Sequence, residues 1–345
     1  MPAKKKIAVA MSGGVDSSVS AALLKADGHE VIGITMRLFD GSTAAVEDAA
    51  RVAACLGIPH YVAAFESCFA TEIMAYFVRE YQAGRTPNPC ARCNQLIKFG
   101  ALLDMAVDLG AEYLATGHYA RIATAADGTT HLLQAVNLSK DQSYFLFSLD
   151  RELLRRIIFP LGEMREKSDV RRIAADLGIP VAQKDDSQDI CFIPDGDYIG
   201  FLERRAVLAT PGDFVLADGT VIGRHKGLHR YTVGQRRGMG IAWSEPLYVI
   251  RLETDTNRVV VGLEGALYRE GFTISSCNWL QSPAPADTEL RCKIRYRHRA
   301  APCIVTPLAD GRAAVRFAVQ EKGVTPGQAA VFYNGEEVVG GGWIE

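Results

Sequence analysis

The chain has 345 residues, 48% hydrophobic and 23% charged, the make-up of an ordinary globular protein with length enough for two or three cores. Its 38 Lys and Arg against 40 Asp and Glu leave a net charge of -2, so no overall field recruits a polyanion and any nucleic-acid surface must be a local patch. The start, Met1-Pro2-Ala3-Lys4-Lys5-Lys6, has no apolar run long enough for a signal peptide or a membrane span, which predicts a cytoplasmic protein with no membrane contact; eight cysteines there point to thiol or metal chemistry rather than a disulfide framework.

Residues 7–11, Ile-Ala-Val-Ala-Met, have no polar break, as a strand buried on both faces should, and 19–26 reads as a helix closed at Gly28. Between them lies Ser12-Gly13-Gly14-Val15-Asp16-Ser17-Ser18. A glycine turn from strand into helix frees backbone N–H groups that point into one concavity, where the helix dipole also favours negative charge. That is a phosphate cradle. No lysine follows in the spacing of a Walker loop, so a grip on the β- and γ-phosphates is not expected; the loop resembles that of enzymes splitting ATP into AMP and pyrophosphate.

Strand signals follow at 30–36, 61–64 and 113–116, and helical spacing at 44–56, 70–81 and 95–109. This βα rhythm predicts a doubly wound parallel sheet, with ligands at the carboxyl ends of its strands, where the loop, Met36, Gly117 and His118 fall. Residues 123–134 read as an inserted hairpin, then 151–158 and 167–177 as helices in a basic region carrying Arg151, Arg155, Arg156, Arg165, Lys167, Arg171 and Arg172. Near 205 helical periodicity gives way to short strands and glycine turns. Residues 221–240 hold five Lys or Arg and no Asp or Glu, and Asn334-Gly335 signals a hairpin near the end. The expected organisation is a catalytic domain over 1–205, a small central β-rich domain over 206–268 and a C-terminal β-barrel over 269–345.

Arg291-Cys-Lys-Ile-Arg-Tyr-Arg-His-Arg299 alternates strictly. On a strand, period two would put Arg291, Lys293, Arg295, Arg297 and Arg299 on one face, a row that phosphates would neutralise. Cys90-Ala-Arg-Cys93 follows Thr86-Pro-Asn-Pro89, read as an ordered loop before a helix beginning near Gln95, a setting that predicts depressed thiol pKa values. With the distant Cys191, these thiols suit a redox pair, half a zinc site, or three ligands of an iron–sulfur cluster. Cys55, Cys68, Cys277, Cys292 and Cys303 read as small core residues.

Taken in order, Met11-Ser-Gly-Gly-Val-Asp-Ser-Ser18, Gly84-Arg-Thr-Pro-Asn-Pro89 with Cys93-Asn94, Ala115-Thr-Gly-His118, Lys140-Asp-Gln-Ser-Tyr144, Asp186-Ser187 with Ile190-Cys-Phe192, and Thr232-Val-Gly-Gln-Arg236 resemble the tRNA-specific 2-thiouridylases over nearly the whole chain. The resemblance implies ATP-dependent 2-thiolation of a wobble uridine, by adenylation of the C2 oxygen and displacement of AMP by sulfur. It implies Mg2+ with the ATP, the tRNA anticodon stem-loop as substrate, and a sulfur-relay protein or inorganic sulfide as donor. Implied ATP ligands are Ala10, Met11, Ser12, Gly13, Gly14, Val15, Asp16, Ser17, Met36 and Gly117, with Ala10 where the family usually has glycine. Implied tRNA contacts are Asn88, Pro89, Cys90, His118, Lys140, Asp141, Gln142, Arg295, Tyr296 and Gln328. Cys191 would carry a persulfide and Cys93 would act as the nucleophile that releases its sulfur, the two able to end in a disulfide.

One departure matters: Cys90 stands where the family usually has aspartate. A 4Fe-4S cluster on Cys90, Cys93 and Cys191 therefore competes with the persulfide route. Two other readings stay open, a nitrogen ligase of the same ATP-splitting class and a non-catalytic RNA-binding sensor.

Overall fold

The computed structural model describes residues 4–184, 190–205, 207, 209–281 and 288–345. Asp186 and Ser187, quoted above, lie outside them. The chain divides into two compact units, the first made of Met1–Ile73, Cys90–Phe192 and Gly335–Val339, the second of Met74–Pro89, Ile193–Asn334 and Gly340–Glu345.

In the first unit, strands β1 (Lys6–Ala10), β2 (Glu30–Arg37), β3 (His60–Ala64) and β4 (Tyr113–Thr116) are followed by a hairpin, β5 (Ala120–Thr124) and β6 (Thr130–Gln134), and by the short β7 (Ile157–Ile158). The sheet is parallel in the order β3-β2-β1-β4-β7, with Ala10 opposite both Ile34 and Thr116. Ile7, Ala8 and Val9 have no exposed surface, which is why the run that opens the chain carries no polar residue. Strand order reverses across β1 and β4, so the crevice at their carboxyl ends is the topological switch point. Helix Val15–Ala26 buries Val19, Ala22 and Leu24 against Val9, Val52, Val170 and Ala174.

Three expectations shift here. Helix Val15–Ala26 begins four residues early, inside the small-residue stretch, where periodicity gives no signal. Residues 151–158 are not one helix: Arg151–Arg156 is a 3-10 turn and Ile157–Ile158 pairs with Leu114 and Ala115 as the sheet's edge. The helix after the Thr-Pro-Asn-Pro stretch begins at Pro89, not near Gln95, with proline at its first position, where the missing N–H is no loss. Both Ala70–Met74 and Asn94–Ala101 wind as π-helix, the second running into helix Leu102–Asp108.

The second unit contains helices Ala75–Gln82 and Tyr198–Glu203 and a small sheet of β8 (Gly212–Val215), β9 (Val221–His225), β10 (Tyr248–Glu253) and β11 (Arg258–Gly262), in the order β10-β11-β8-β9. Its core is Phe214, Tyr231, Val249, Val259 and Val261. Strands β12 (Tyr268–Trp279), β13 (Thr288–Lys293), β14 (Ala301–Pro307), β15 (Ala313–Lys322), β16 (Ala329–Asn334) and β17 (Glu337–Ile344) follow in the order β12-β15-β14-β13-β16-β17. β12 also pairs with β17, Ile274 opposite Ile344, so the barrel closes. No helix among the described residues is long and apolar enough to cross a membrane.

Candidate functional site

The loop Ser12 to Ser18 leaves β1 at the switch point. Gly13 has φ +67°, and a Cβ there would stand 2.5 Å from the Ala45 carbonyl oxygen, so only glycine lets the backbone run this close to helix Thr43–Leu56. Ser17 Oγ accepts from Ser12 N–H at 3.1 Å and Ser18 Oγ donates to Gly14 O at 2.8 Å; these bonds hold the loop's shape without a ligand. Gly117 follows β4. A Cβ on it would lie 2.7 Å from Ser17 N and 2.9 Å from Asp16 C, which packs the second expected ATP segment against the first. Met36, near the end of β2, is half-buried.

Two lysines that no motif singled out reach this loop. Lys167 Nζ donates to both carboxylate oxygens of Asp16, at 2.6 and 2.7 Å, and the Tyr119 hydroxyl donates to Asp16 Oδ1 at 2.9 Å. Lys184 Nζ donates to Gly13 O at 3.1 Å and to Asp48 Oδ2 at 2.6 Å. Lys184, together with Arg51, which also pairs with Asp48, holds the Asp48 carboxyl below the usual carboxylate range. The cations absent from the Walker spacing thus arrive from distant sequence, a placement only the tertiary fold reveals.

His118 bonds Thr116 Oγ1 through Nδ1 at 2.6 Å and stands beside Phe99 and Phe159, with ring centroids 6.0 and 5.9 Å away. Burial, with a smaller push from Lys98, holds its pKa well below the usual histidine range, so it is neutral at physiological pH. Asp141 is 2% exposed and accepts from Ala135 N–H, Ser143 N–H and the Ser143 hydroxyl. Gln142 Oε1 accepts from Tyr119 N–H, and Lys140 is half-buried.

Cys90, Cys93 and Cys191 are neighbours. The thiols of Cys191, Cys90 and Cys68 each raise the pKa of Cys93, and Cys90 raises that of Cys191. Their segments meet on one stretch, residues 66–74: Arg92 pairs with Glu72 at 3.5 Å, and Phe192 meets Phe69 edge-on at 5.6 Å. The expected depressed thiol pKa values are wrong in sign. Burial pushes Cys93 up to about 12 and Cys191 up to about 11 and raises Cys90, while Lys98 opposes all three. Cys93, 8% exposed, has the burial such a shift needs; Cys90 and Cys191 keep open surface, where water screens part of the effect. Arg92, between the two thiols in sequence, is turned to Glu72. Among the described residues no three His, Cys, Asp or Glu side chains converge closely enough to hold a metal ion. Cys292 and Cys303 are core residues as expected and Cys277 is half-buried, but Cys55 and Cys68 are exposed. Cys68 is a further thiol near Cys93 that sequence reasoning assigned to the core.

In the second unit, Gln328 Nε2 donates to Thr86 O at 2.9 Å and Pro87 O at 3.1 Å, fixing the segment that carries the buried Asn88 and Pro89. The expected basic strand 291–299 ends at Lys293, where pairing with Val331 of β16 stops, so five cations do not share one strand face. Exposure still alternates through the turn that follows: Cys292 and Ile294 are buried and Tyr296 is half-buried, with Arg295, Arg297 and Arg299 exposed. None of these three pairs with a carboxylate among the described residues. The Arg295 guanidinium lies over Gly323, where a Cβ would come within 3.2 Å of Nη1.

Family profiles match residues 5–195, described as "tRNA methyl transferase HUP domain", 199–263, "tRNA methyl transferase PRC-barrel domain", and 269–344, "Aminomethyltransferase beta-barrel domain". The tRNA-specific 2-thiouridylase MnmA of Trichlorobacter lovleyi is 52% identical over 344 residues, covering 99% of this chain and 97% of that protein. Those of Geobacter metallireducens and Acidithiobacillus ferrooxidans are 52% and 49% identical, each covering 99% of this chain and 97% and 99% of theirs. Among solved structures, a 4-thiouridine synthetase–RNA complex with bound ATP is similar at a TM-score of 0.36 and 16% identity, covering 58% of this chain and 50% of that one.

Proposed function

The chain belongs to the tRNA-specific 2-thiouridylase family, and from that premise we propose that it is an ATP-dependent tRNA sulfurtransferase that thiolates C2 of the wobble uridine. The observation that carries this reading is the presence, in one compact unit, of a glycine loop at the switch point and three neighbouring thiols.

The uridine C2 oxygen is a poor leaving group. It attacks the α-phosphorus of ATP, the bond to the β-phosphate breaks, and pyrophosphate leaves toward the N–H groups of Ser12 to Ser17; Mg2+ carried in with the ATP would offset its charge. A persulfide on Cys191 then attacks C2 through its outer sulfur and AMP departs. Cys93 attacks the Cys191 sulfur, so the S–S bond breaks, sulfur stays on C2, and a Cys93–Cys191 disulfide remains for an external dithiol to reduce. The outer sulfur is transferred as sulfane sulfur from the persulfide of a sulfur-relay protein, whose own thiol is released. Inorganic sulfide supplies it by attacking the Cys191 sulfur of the Cys93–Cys191 disulfide left by the previous turnover, which breaks the S–S bond, frees the Cys93 thiol and leaves the persulfide on Cys191. Both thiols are protonated at rest, which protects them between turnovers; Lys98 is the cation that favours thiolate when the site is engaged. In this reading Asn88, Pro89, Cys90, His118, Lys140, Asp141, Gln142, Arg295, Tyr296 and Gln328 serve the tRNA, the buried Asp141 by shaping its loop, and the enzyme works in the cytoplasm.

Cys90 favours a second sulfur route. Cys90, Cys93 and Cys191 are the residues that would hold a 4Fe-4S cluster, which would supply hydrosulfide in place of the persulfide; in this structure the three thiols do not converge closely enough to hold a metal ion, so this route requires them to draw together. Incubation with unmodified tRNA, ATP, Mg2+ and a sulfide source, followed by nucleoside mass analysis, tests the function: 2-thiouridine is expected, and its absence while AMP and pyrophosphate form with tRNA overturns it. Anaerobic purification and iron analysis of wild type and Cys90→Asp separate the routes. A colourless, fully active wild type excludes the cluster.

A further inference from the structure

Residues 236–247 of the second unit play no part in that chemistry. They form a loop without strand or helix, clamped at its neck: Gly234 N–H donates to Val249 O at 2.8 Å and Val249 N–H to Gln235 O at 2.9 Å. The Gln235 side chain accepts from Thr232 N–H at 3.0 Å and donates to Arg237 O at 2.9 Å, tightening the same neck. The loop surrounds an open cavity of about 460 Å3, lined by Arg236, Met239, Ile241, Trp243 and Glu245 among others. Met239 and Ile241 pack against the core of Phe214 and Val249, giving it an anchored apolar side.

Three features of this cavity ask for a ligand of one kind. Trp243 is 47% exposed, a large flat face left to water. Arg236, the one arginine of the lining, is exposed and pairs with no carboxylate among the described residues, whereas Arg224 and Arg230 of the same basic stretch pair with Asp213 and Glu203. Gly238 and Gly240 sit at positive φ, and a Cβ at Gly240 would meet nothing within 4 Å, so the backbone beside this arginine is open to close approach. A stacking face, a free guanidinium group and bare backbone, in a volume suited to one small ligand, match an unstacked nucleotide.

We infer that this cavity binds one unstacked nucleotide of the tRNA, its base on Trp243 and its phosphate on Arg236. The inference rests on the tRNA reading above and adds a subsite to it. Glu245 gives the subsite a direction. A carboxylate repels a phosphate and accepts from an exocyclic amine, so the base edge faces Glu245, and cytosine, adenine or guanine is preferred over uracil, which has no such amine.

The test is filter binding of unmodified tRNA over a range of salt. Trp243→Ala should weaken binding about 5- to 100-fold, the range of one base–aromatic stack, while Trp243→Phe keeps most of it. Arg236→Ala should lower the slope of log Kd against log salt by about 1, the share of one phosphate contact. Ultraviolet cross-linking of the wild-type protein to the same tRNA needs no variant to fold, and should place a cross-link on the peptide carrying Trp243. Wild-type affinity in both variants, or cross-links solely outside 236–247, overturns the subsite and leaves the tRNA reading standing. No binding of tRNA by the wild-type protein overturns both.

Discussion

Replacing Gly117 by alanine tests the geometry of the proposed ATP site through a single steric contact. Its φ is not in the left-handed region, so the backbone tolerates a side chain and the whole effect is steric. The new Cβ would stand 2.7 Å from Ser17 N, 2.9 Å from Asp16 C and 3.0 Å from Asp16 Cβ. Ordinary contact begins near 3.4 Å, so the helix start must retreat by about 0.7 Å, and two of the three atoms are backbone with no rotamer to yield. Overpacking of this kind destabilises by about 1–3 kcal/mol. A misplacement near 1 Å at a reacting site lowers rates by about 100-fold, so kcat/KM for tRNA-dependent pyrophosphate release should fall about 10- to 100-fold, or about 1.4–2.7 kcal/mol of barrier. Gly128→Ala is the control: at the tip of the β5–β6 hairpin, with φ +86° and nothing within 4 Å, it should leave the rate unchanged. A folded Gly117→Ala enzyme within twofold of wild type in both kcat and KM for ATP would refute the close packing of Gly117 on the loop.

Lys167→Met removes two charge-assisted bonds from Asp16 in a largely buried setting and leaves that carboxylate with the Tyr119 hydroxyl; about 1–3 kcal/mol of stability and a raised KM for ATP are the expected losses, read by denaturant unfolding and initial rates. Because burial raises the Cys93 pKa to about 12, the folded state favours the neutral thiol; its contribution to stability is complete below the unfolded value near 9 and declines as pH rises from there toward 12. Stability of wild type should therefore fall above pH 9 more steeply than that of Cys93→Ala, and parallel curves would contradict the buried thiol. Alkylation of Cys191 by iodoacetamide should still be accelerating at pH 10, where an ordinary thiol has levelled off.

Much of the first unit could be read because its signals are local. The apolar run at 7–11 was legible as β1 since both faces are covered, and 113–116 coincides with β4. Lys167, Lys184, Asp48 and Tyr119 were not legible as loop partners, because nothing within a few residues of any of them refers to Ser12 or Asp16; tertiary packing alone brings them there. The thiol pKa expectation failed on magnitude. A helix N-terminus at a surface contributes about 0.3–1 kcal/mol, less than one pKa unit, whereas burial moves Cys93 by about three. In 291–299 the alternation was real, as the exposure pattern shows, but period two does not reveal where strand pairing ends, and β13 stops at Lys293, opposite Val331.

The π-helical segments bear on how the length of this chain can change over generations. A π-turn holds a surplus residue within a helix, at the expense of weaker hydrogen bonding, while the turns before and after keep their direction. In Asn94–Ala101 that surplus sits between Cys93 on one side and the buried Leu102 and Leu103 on the other. A one-residue deletion there lets the segment close as ordinary α-helix with both flanks in place, whereas the same deletion within β1 would turn every later side chain of that strand to the opposite face. Lys98, carried on the surplus turn, is thus the charge whose position relative to the thiols a single-codon loss could reset without dismantling the core.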